Sequence, residues 1–347
     1  MPPWLNIRRF AAPRSIFRAR GSLSTMRDLT VLVISDPADP YLPMLDTIRD
    51  RAHVAIGNQP ERFAAHAASA RVLLNWAGKR AVFEQTFHMA PHLEWIHSRY
   101  AGLDSVLFPE LVRSPVPLTN ARGVFSQSLG EFVILGMLFF AKDVRRLLRS
   151  QAAAKWDPFT VTELRGQTVG IVGYGDIGRA AAQRARAMHM RILAVRRQPQ
   201  KSQNDPLVEQ TFGLDGLGEM LPQCDYVVCA APLTPATKHL MSRAQFRQMK
   251  PGAVVLNVGR GPVIDEAALI EALQEGHLGG AALDVFEVEP LPPDSPLFGM
   301  RNVLISPHSA DNTKTWLSEA MQCFLDNFDR FHRGQPLANL VDKHAGY

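Results

Sequence analysis

The sequence predicts an α/β protein built from two doubly wound, parallel-sheet domains. Three observations predict it. An apolar run ends in closely spaced glycines at Val169-Gly170-Ile171-Val172-Gly173-Tyr174-Gly175-Asp176-Ile177-Gly178, and a helical pattern and a second apolar run follow. Short apolar strand patterns alternate with helical ones from Leu29 onward. The chain, 347 residues at 46% hydrophobic composition, is long enough to bury two domain-sized cores.

Residues 1–27 stand apart from that pattern. They hold six arginines (Arg8, Arg9, Arg14, Arg18, Arg20 and Arg27) and no acid, with scattered apolar residues but no continuous apolar core. This composition fits an organellar transit peptide, the arginines leaning toward mitochondrion over plastid. A disordered basic tail, or cytoplasmic protein translated from Met26, is the other reading. The leader also accounts for the basic pI of 9.3. The remainder sets the other 32 of the 38 basic residues against 33 acidic ones and is close to neutral, so no nucleic-acid footprint is expected.

The first domain opens with a strand at Thr30-Val31-Leu32-Val33-Ile34-Ser35 that ends at Asp36-Pro37, and a helix is expected around Tyr41–Arg51. Further strands are expected at 71–74 and 93–97. Each ends in a loop suited to face a cleft: Asn75-Trp76-Ala77-Gly78-Lys79 and Ser98-Arg99-Tyr100-Ala101-Gly102-Leu103-Asp104. In open α/β sheets ligands sit at the carboxyl ends of strands. Trp76, Tyr100, Ala101 and Gly102 are therefore substrate-side candidates, the small pair able to present bare N–H groups to a carboxylate. Arg99 is a candidate for a second anionic group on a larger substrate. Thr119–Gly123 reads as a turn, and a single long helix is expected from Ser126 to about Ser150.

The glycine stretch opens the second domain. Strand, turn, helix and strand surround a G-x-G-x-x-G spacing, a far more specific signal than the spacing alone. Gly173 lets the strand turn, Gly175 lets a pyrophosphate approach the backbone, and Gly178 lets the helix pack on the strand. The helix N-terminus offers free N–H groups and a partial positive charge to phosphate. The second strand, Arg191–Val195, leads into Arg196-Arg197. An NAD site places an acid at this point, ~20 residues past the glycines, to hold the ribose 2′-hydroxyl. Two guanidiniums there bind a 2′-phosphate instead, so NADP is the expected cofactor, with NAD the other possibility.

Strand and helix patterns then repeat, with strands expected at 225–229, 253–257, 281–283 and 302–305. Val258-Gly259-Arg260-Gly261, Asp284-Val285-Phe286-Glu287-Val288-Glu289-Pro290 and Ser306-Pro307-His308 follow three of them. Singly, Arg260, Glu289 and His308 have bland readings as surface or core residues. Together, at neighbouring strand ends beside a nicotinamide site, they form a hydride-transfer constellation. The three cysteines, Cys224, Cys229 and Cys323, make no C-x-x-C pair and no ligand cluster with histidine, so neither a disulfide nor a structural metal is expected. No apolar run reaches the ~18 residues of a membrane span.

With these motifs in order, the chain resembles the D-isomer-specific 2-hydroxyacid dehydrogenases from about Leu29 to its end. Besides the glycine fingerprint, the resemblance rests on Pro232-Leu233-Thr234-Pro235-Ala236-Thr237, Leu256-Asn257-Val258-Gly259-Arg260-Gly261, Ala282-Leu283-Asp284-Val285-Phe286 with Glu289-Pro290, and Ser306-Pro307-His308. It implies Arg260, Glu289 and His308 as the catalytic triad. It implies cofactor contacts at Gly173, Tyr174, Gly175, Asp176, Ile177, Gly178, Arg196, Arg197, Ala231, Pro232, Thr237, Val258, Gly259 and Asp284. It also implies a substrate domain made of 28–125 and 310–347 around an inserted dinucleotide domain at 126–309, and a homodimer with the long helix near its interface.

The implied reaction is reduction of a small 2-oxo acid, of the glyoxylate or hydroxypyruvate kind, to the D-2-hydroxy acid. Arg260 holds the substrate carboxylate, a task suited to a bidentate guanidinium. His308 protonates the oxygen as hydride reaches C2, and Glu289 orients the imidazole. Two departures stand out: Gly130-Glu131 where the family usually has Ala-Glu, and Ser309-Ala310-Asp311-Asn312 after the histidine. A D-3-phosphoglycerate dehydrogenase-like enzyme is a second reading, weakened because no regulatory domain follows Tyr347. A third is a dinucleotide-sensing corepressor of the same fold.

Overall fold

The computed structural model describes residues 29–347, and the leader expected at 1–27 lies outside them. Two parallel sheets carry the fold. The first comprises β1 (Thr30–Ile34), β2 (His53–Gly57), β3 (Ala70–Asn75), β4 (Trp95–Ser98) and β5 (Leu118–Asn120), in the order β2-β1-β3-β4-β5. The second comprises β6 (Thr168–Val172), β7 (Arg191–Val195), β8 (Gln210–Phe212), β9 (Tyr226–Cys229), β10 (Val254–Asn257), β11 (Gly280–Leu283) and β12 (Val303–Ile305), in the order β12-β11-β10-β9-β6-β7-β8. Every pairing between these strands is parallel. In the second sheet the direction of winding reverses between β6 and β9, the crevice where dinucleotides bind in this topology.

Successive side chains of a strand face opposite sides, so a strand buried on both faces feeds two cores. Val31 and Val33 of β1 enter one apolar cluster, Leu32 and Ile34 the other. In β10, Val254 and Leu256 face one side and Val255 the other. This is why the central strands read as continuous apolar runs. One core of the first sheet is completed by the helix Trp316–His332, whose Met321, Phe324 and Phe328 are fully buried against it. Trp95 of β4 stacks on Phe324 with ring centroids 5.2 Å apart.

Some local expectations differ from the fold. The stretch expected as a helix at Tyr41–Arg51 is a 3₁₀ helix, Leu42–Ile48, opened by a proline. The expected single helix from Ser126 is two, Ser126–Ala141 and Val144–Ala152. Asp143 divides them in a left-handed conformation, φ 44°, and its carboxylate caps the second helix by accepting from the Arg146 N–H. Aspartate tolerates that conformation better than most residues and is a favoured N-cap. Strands β2, β5 and β8 were not expected; all three are edge strands, and β5 and β8 have three residues each.

Candidate active site

The carboxyl ends of β10, β11 and β12 bring the three expected catalytic side chains to one edge of the second sheet. After β10, Asn257 fixes the turn: its Oδ1 accepts from Gly259 N and its Nδ2 donates to the Arg260 carbonyl. Arg260 then reaches toward the first sheet. Its Nε donates to Asp104 Oδ2 at 2.7 Å and its Nη1 donates to the Gly259 carbonyl at 2.8 Å. The guanidinium lies against the loop that follows β4, closest to Gly102.

After β11, Asp284 is 1% exposed and works as an anchor. Its Oδ1 accepts from Ser306 Oγ, Ser309 N and Ala310 N, and its carbonyl accepts from His308 N. These bonds hold His308 at φ 50°, a left-handed conformation that a bulky residue keeps only when its surroundings enforce it. His308 Nδ1 lies 2.7 Å from Glu289 Oε2, and Glu289 Oε1 accepts from Phe286 N. Glutamate is thereby fixed from one side and orients the imidazole from the other, leaving Nε2 as the nitrogen able to face a substrate oxygen. Asp311 follows three residues later. Burial, then the nearby Asp284 carboxylate, pushes its carboxyl above the ordinary range, with His308 and Arg260 opposing.

The glycine loop fits a dinucleotide. Gly173 turns at φ 97°, and a Cβ there would meet Ala231 N at 2.4 Å. A Cβ on Gly178 would meet the Gly173 carbonyl at 2.6 Å and Ile171 at 2.9 Å, so the helix Asp176–Ala187 packs tightly on β6. At Gly175 a Cβ would meet no protein atom within 4 Å. Nothing in the protein demands glycine there, and the open space leaves room for a phosphate to approach the backbone. Gly175 caps the helix with no side-chain acceptor for the first N–H groups, which stay available to that phosphate.

The other expected cofactor residues surround this loop. Tyr174 is buried and donates to Asp205, which Arg179 also contacts. Burial and Asp205 raise the Tyr174 phenol, keeping it a donor. Asp176 pairs with Arg122 at 3.0 Å, and Ile177 packs into the adjoining core. Ala231 and Val258 are buried at the ends of β9 and β10, and Gly259 packs on Ala231. Thr237 Oγ1 donates to the Pro232 carbonyl at 2.6 Å and accepts from Thr234 N, which shapes the loop after β9. Arg196 is half-buried and bonded to Ser202 Oγ, while Arg197 lies under the Tyr347 ring, 4.7 Å from its centroid, with Asp342 at 3.9 Å.

On the substrate side, the Ala101 carbonyl accepts from Asn120 Nδ2, which braces the loop carrying Gly102. Tyr100 is exposed and its hydroxyl accepts from Arg99. Trp76 is fully buried, with Nε1 donating to Asp39 at 2.9 Å, and presents no surface to the cleft. Its ring backs Arg99 instead. Sequence reasoning missed Asp104 as a partner of Arg260 and the anchoring bonds of Asp284. A pairing across 156 residues carries no local signal.

Comparison with known proteins bears on the family and the fold. The family model described as "D-isomer specific 2-hydroxyacid dehydrogenase, NAD binding domain" matches residues 134–310. The chain is 32% identical over 327 residues to the glyoxylate/hydroxypyruvate reductase B of Yersinia pestis (strain Pestoides F), covering 91% of this chain and 98% of the relative. It superposes with a TM-score of 0.76 on a D-isomer specific 2-hydroxyacid dehydrogenase from Xanthobacter autotrophicus Py2 in complex with NADPH and MES. That protein is 31% identical, with 92% of this chain and 99% of the other covered. It superposes with a TM-score of 0.78 on the NADPH-dependent glyoxylate/hydroxypyruvate reductase of Sinorhizobium meliloti in complex with NADP and sulfate, at 28% identity and with 92% and 99% covered. Given a family model over half its length and a relative aligned over nine-tenths of it, the chain belongs to the D-isomer-specific 2-hydroxyacid dehydrogenases and binds a nicotinamide dinucleotide.

Proposed function

We propose that the protein reduces small 2-oxo acids of the glyoxylate and hydroxypyruvate kind to D-2-hydroxy acids, with NADPH as preferred reductant. The observation that carries this reading is the His308–Glu289 pair, 2.7 Å apart, beside Arg260 at neighbouring strand ends. The bound cofactor supplies a hydride. The protein's own groups do the rest. Arg260 exchanges Asp104 for the substrate carboxylate, a bidentate match for a planar guanidinium. His308 Nε2 donates a proton to the 2-oxo oxygen as negative charge develops there, and Glu289 steadies the charged imidazolium before transfer. Arg196 and Arg197 supply the positive charge that favours a 2′-phosphate over a bare ribose hydroxyl.

A homodimer belongs to the same proposal. Leu147 and Leu148 on the helix Val144–Ala152 are 48% and 58% exposed, and Trp156 just beyond it is 94% exposed. Apolar groups gathered on one projecting arm support burial against a second copy. The test of the catalytic reading is a turnover assay with NADPH and NADH against glyoxylate, hydroxypyruvate and pyruvate. Absence of turnover with every one of these acids sinks it.

A further inference from the structure

Arg99 is a charged side chain of the loop after β4 that the reaction above leaves unused. It follows directly on β4, three residues before Gly102, in the loop that supports Arg260. Three aromatic rings surround its guanidinium: Trp76, Tyr100 and Trp316, with Cζ at 5.1, 4.7 and 5.4 Å from the ring centroids. Trp316 Nε1 donates to Asn312, four residues past His308, so the cage is tied to both walls of the reaction cleft. Among the described residues no carboxylate pairs with Arg99, and its Nε is buried without a partner. Among the described residues, its guanidinium makes one hydrogen bond, to the Tyr100 hydroxyl.

A half-buried guanidinium without a counter-charge is costly, and cation–π contacts offset only part of that cost. The remaining N–H groups lack an oxyanion. Arg260, the group read as holding the C1 carboxylate, rests against Gly102, and Arg99 stands three residues back along the same loop. We propose that Arg99, caged by Trp76, Tyr100 and Trp316, is a subsite for a second negative group at the far end of the substrate, so that the enzyme accepts dianionic 2-oxo acids. This rests on the 2-oxo acid reductase reading. The shared chemistry is a terminal oxyanion, carboxylate or phosphate. A planar guanidinium that stacks on rings and forks onto oxygens suits either, and a lysine in its place does neither.

The test measures kcat/KM with NADPH for glyoxylate and hydroxypyruvate against oxaloacetate, 2-oxoglutarate and phosphohydroxypyruvate, in wild type, Arg99→Leu and Arg99→Lys. The last three acids separate carboxylate from phosphate. The efficiency ratio of the preferred dianionic acid to hydroxypyruvate should fall about tenfold or more in Arg99→Leu, the size expected for losing a charged hydrogen bond. It should fall less in Arg99→Lys. Titration of tryptophan fluorescence with D-malate in the presence of NADPH, a pair between which no hydride can pass, reads the same subsite without turnover, through Trp76 and Trp316. A ratio unchanged within threefold in Arg99→Leu overturns the proposal, as does a wild type that reduces glyoxylate but none of the dianionic acids. If no acid is reduced, the reductase reading falls. Malate binding then decides the subsite: binding lost in Arg99→Leu supports it, and binding absent or indifferent to Arg99 overturns it. Should Arg99→Leu fail to fold, Arg99→Lys decides in the same assays.

Discussion

A Cβ placed on Gly102 would lie 1.5 Å from an Nη of Arg260 and 2.8 Å from its Cζ. Gly102 belongs to the first sheet's loops and Arg260 to the second's, so the one missing side chain is what lets the two halves of the site touch. The Gly102→Ala variant keeps an allowed backbone and pushes only the flexible end of Arg260. Stability should change by less than about 1 kcal/mol. The displaced guanidinium should cost roughly 10- to 100-fold in kcat/KM for the 2-oxo acid, the scale of an ångström-sized misplacement. Steady-state kinetics with the acid and the cofactor varied in turn checks this, and an unaltered kcat/KM for the acid refutes it.

The His308→Gln substitution removes the proposed proton donor but keeps a polar side chain of similar reach. It should lower kcat ~10²–10⁴-fold with cofactor binding little changed. Glu289→Gln should also lower kcat, by a smaller factor, because the imidazole loses its orienting carboxylate but remains present. Binding of NADPH followed by fluorescence, alongside kcat, separates these effects. A loss under threefold in His308→Gln is incompatible with the role given to it.

Reversing the charge at Arg196 should change cofactor choice. Charge-assisted hydrogen bonds are worth roughly 1.5–3 kcal/mol, less where solvent screens them, so wild type should prefer NADPH by about ten- to hundredfold. Arg196→Asp should raise the KM for NADPH sharply and leave that for NADH nearly as it was. Added salt should weaken the wild-type preference. Equal kcat/KM for both cofactors in wild type means that the arginines serve another purpose.

Acid stability should depend on His97. The ring is 0% exposed, its Nδ1 is 2.7 Å from Thr119 Oγ1, and burial pushes its pKa down to about 3. The folded form therefore refuses a proton that the unfolded chain accepts near 6.5. The stability His97 contributes is full above ~6.5 and is lost as pH falls from there toward 3, by up to about 5 kcal/mol. In His97→Gln the thermal midpoint should fall less between pH 7 and pH 4 than in wild type. Parallel curves would assign the acid sensitivity elsewhere.

Much of this architecture was legible because the central strands are buried on both faces and so appear as apolar runs. Gly173, Gly175 and Gly178 were legible for another reason: each has one task, and the tasks are spaced by the strand–turn–helix geometry itself. Part of what stayed hidden was too short or too distant. Leu118-Thr119-Asn120 has three residues of strand beside a turn, and no periodicity shows in three residues. Arg260 meets Asp104 only when two domains close on each other. Trp76 sits on a strand-end loop, where an aromatic suggests a ligand face, yet its indole N–H finds Asp39 and the ring turns inward. Loop position was readable; side-chain direction was not.

The helix Trp316–His332 gives the molecule an unusual order of assembly. The second sheet has all of its strands by Ile305, whereas the first sheet's core still lacks Met321, Phe324 and Phe328 at that point. On a ribosome, the half that is encoded in the middle is ready to fold while the half that was translated earliest waits with an apolar face uncovered. Domains usually mature from the N-terminal end. Here the dinucleotide-binding half is the one that matures first, and a nascent chain stalled before Trp316 would hold a cofactor cradle and no finished substrate cleft.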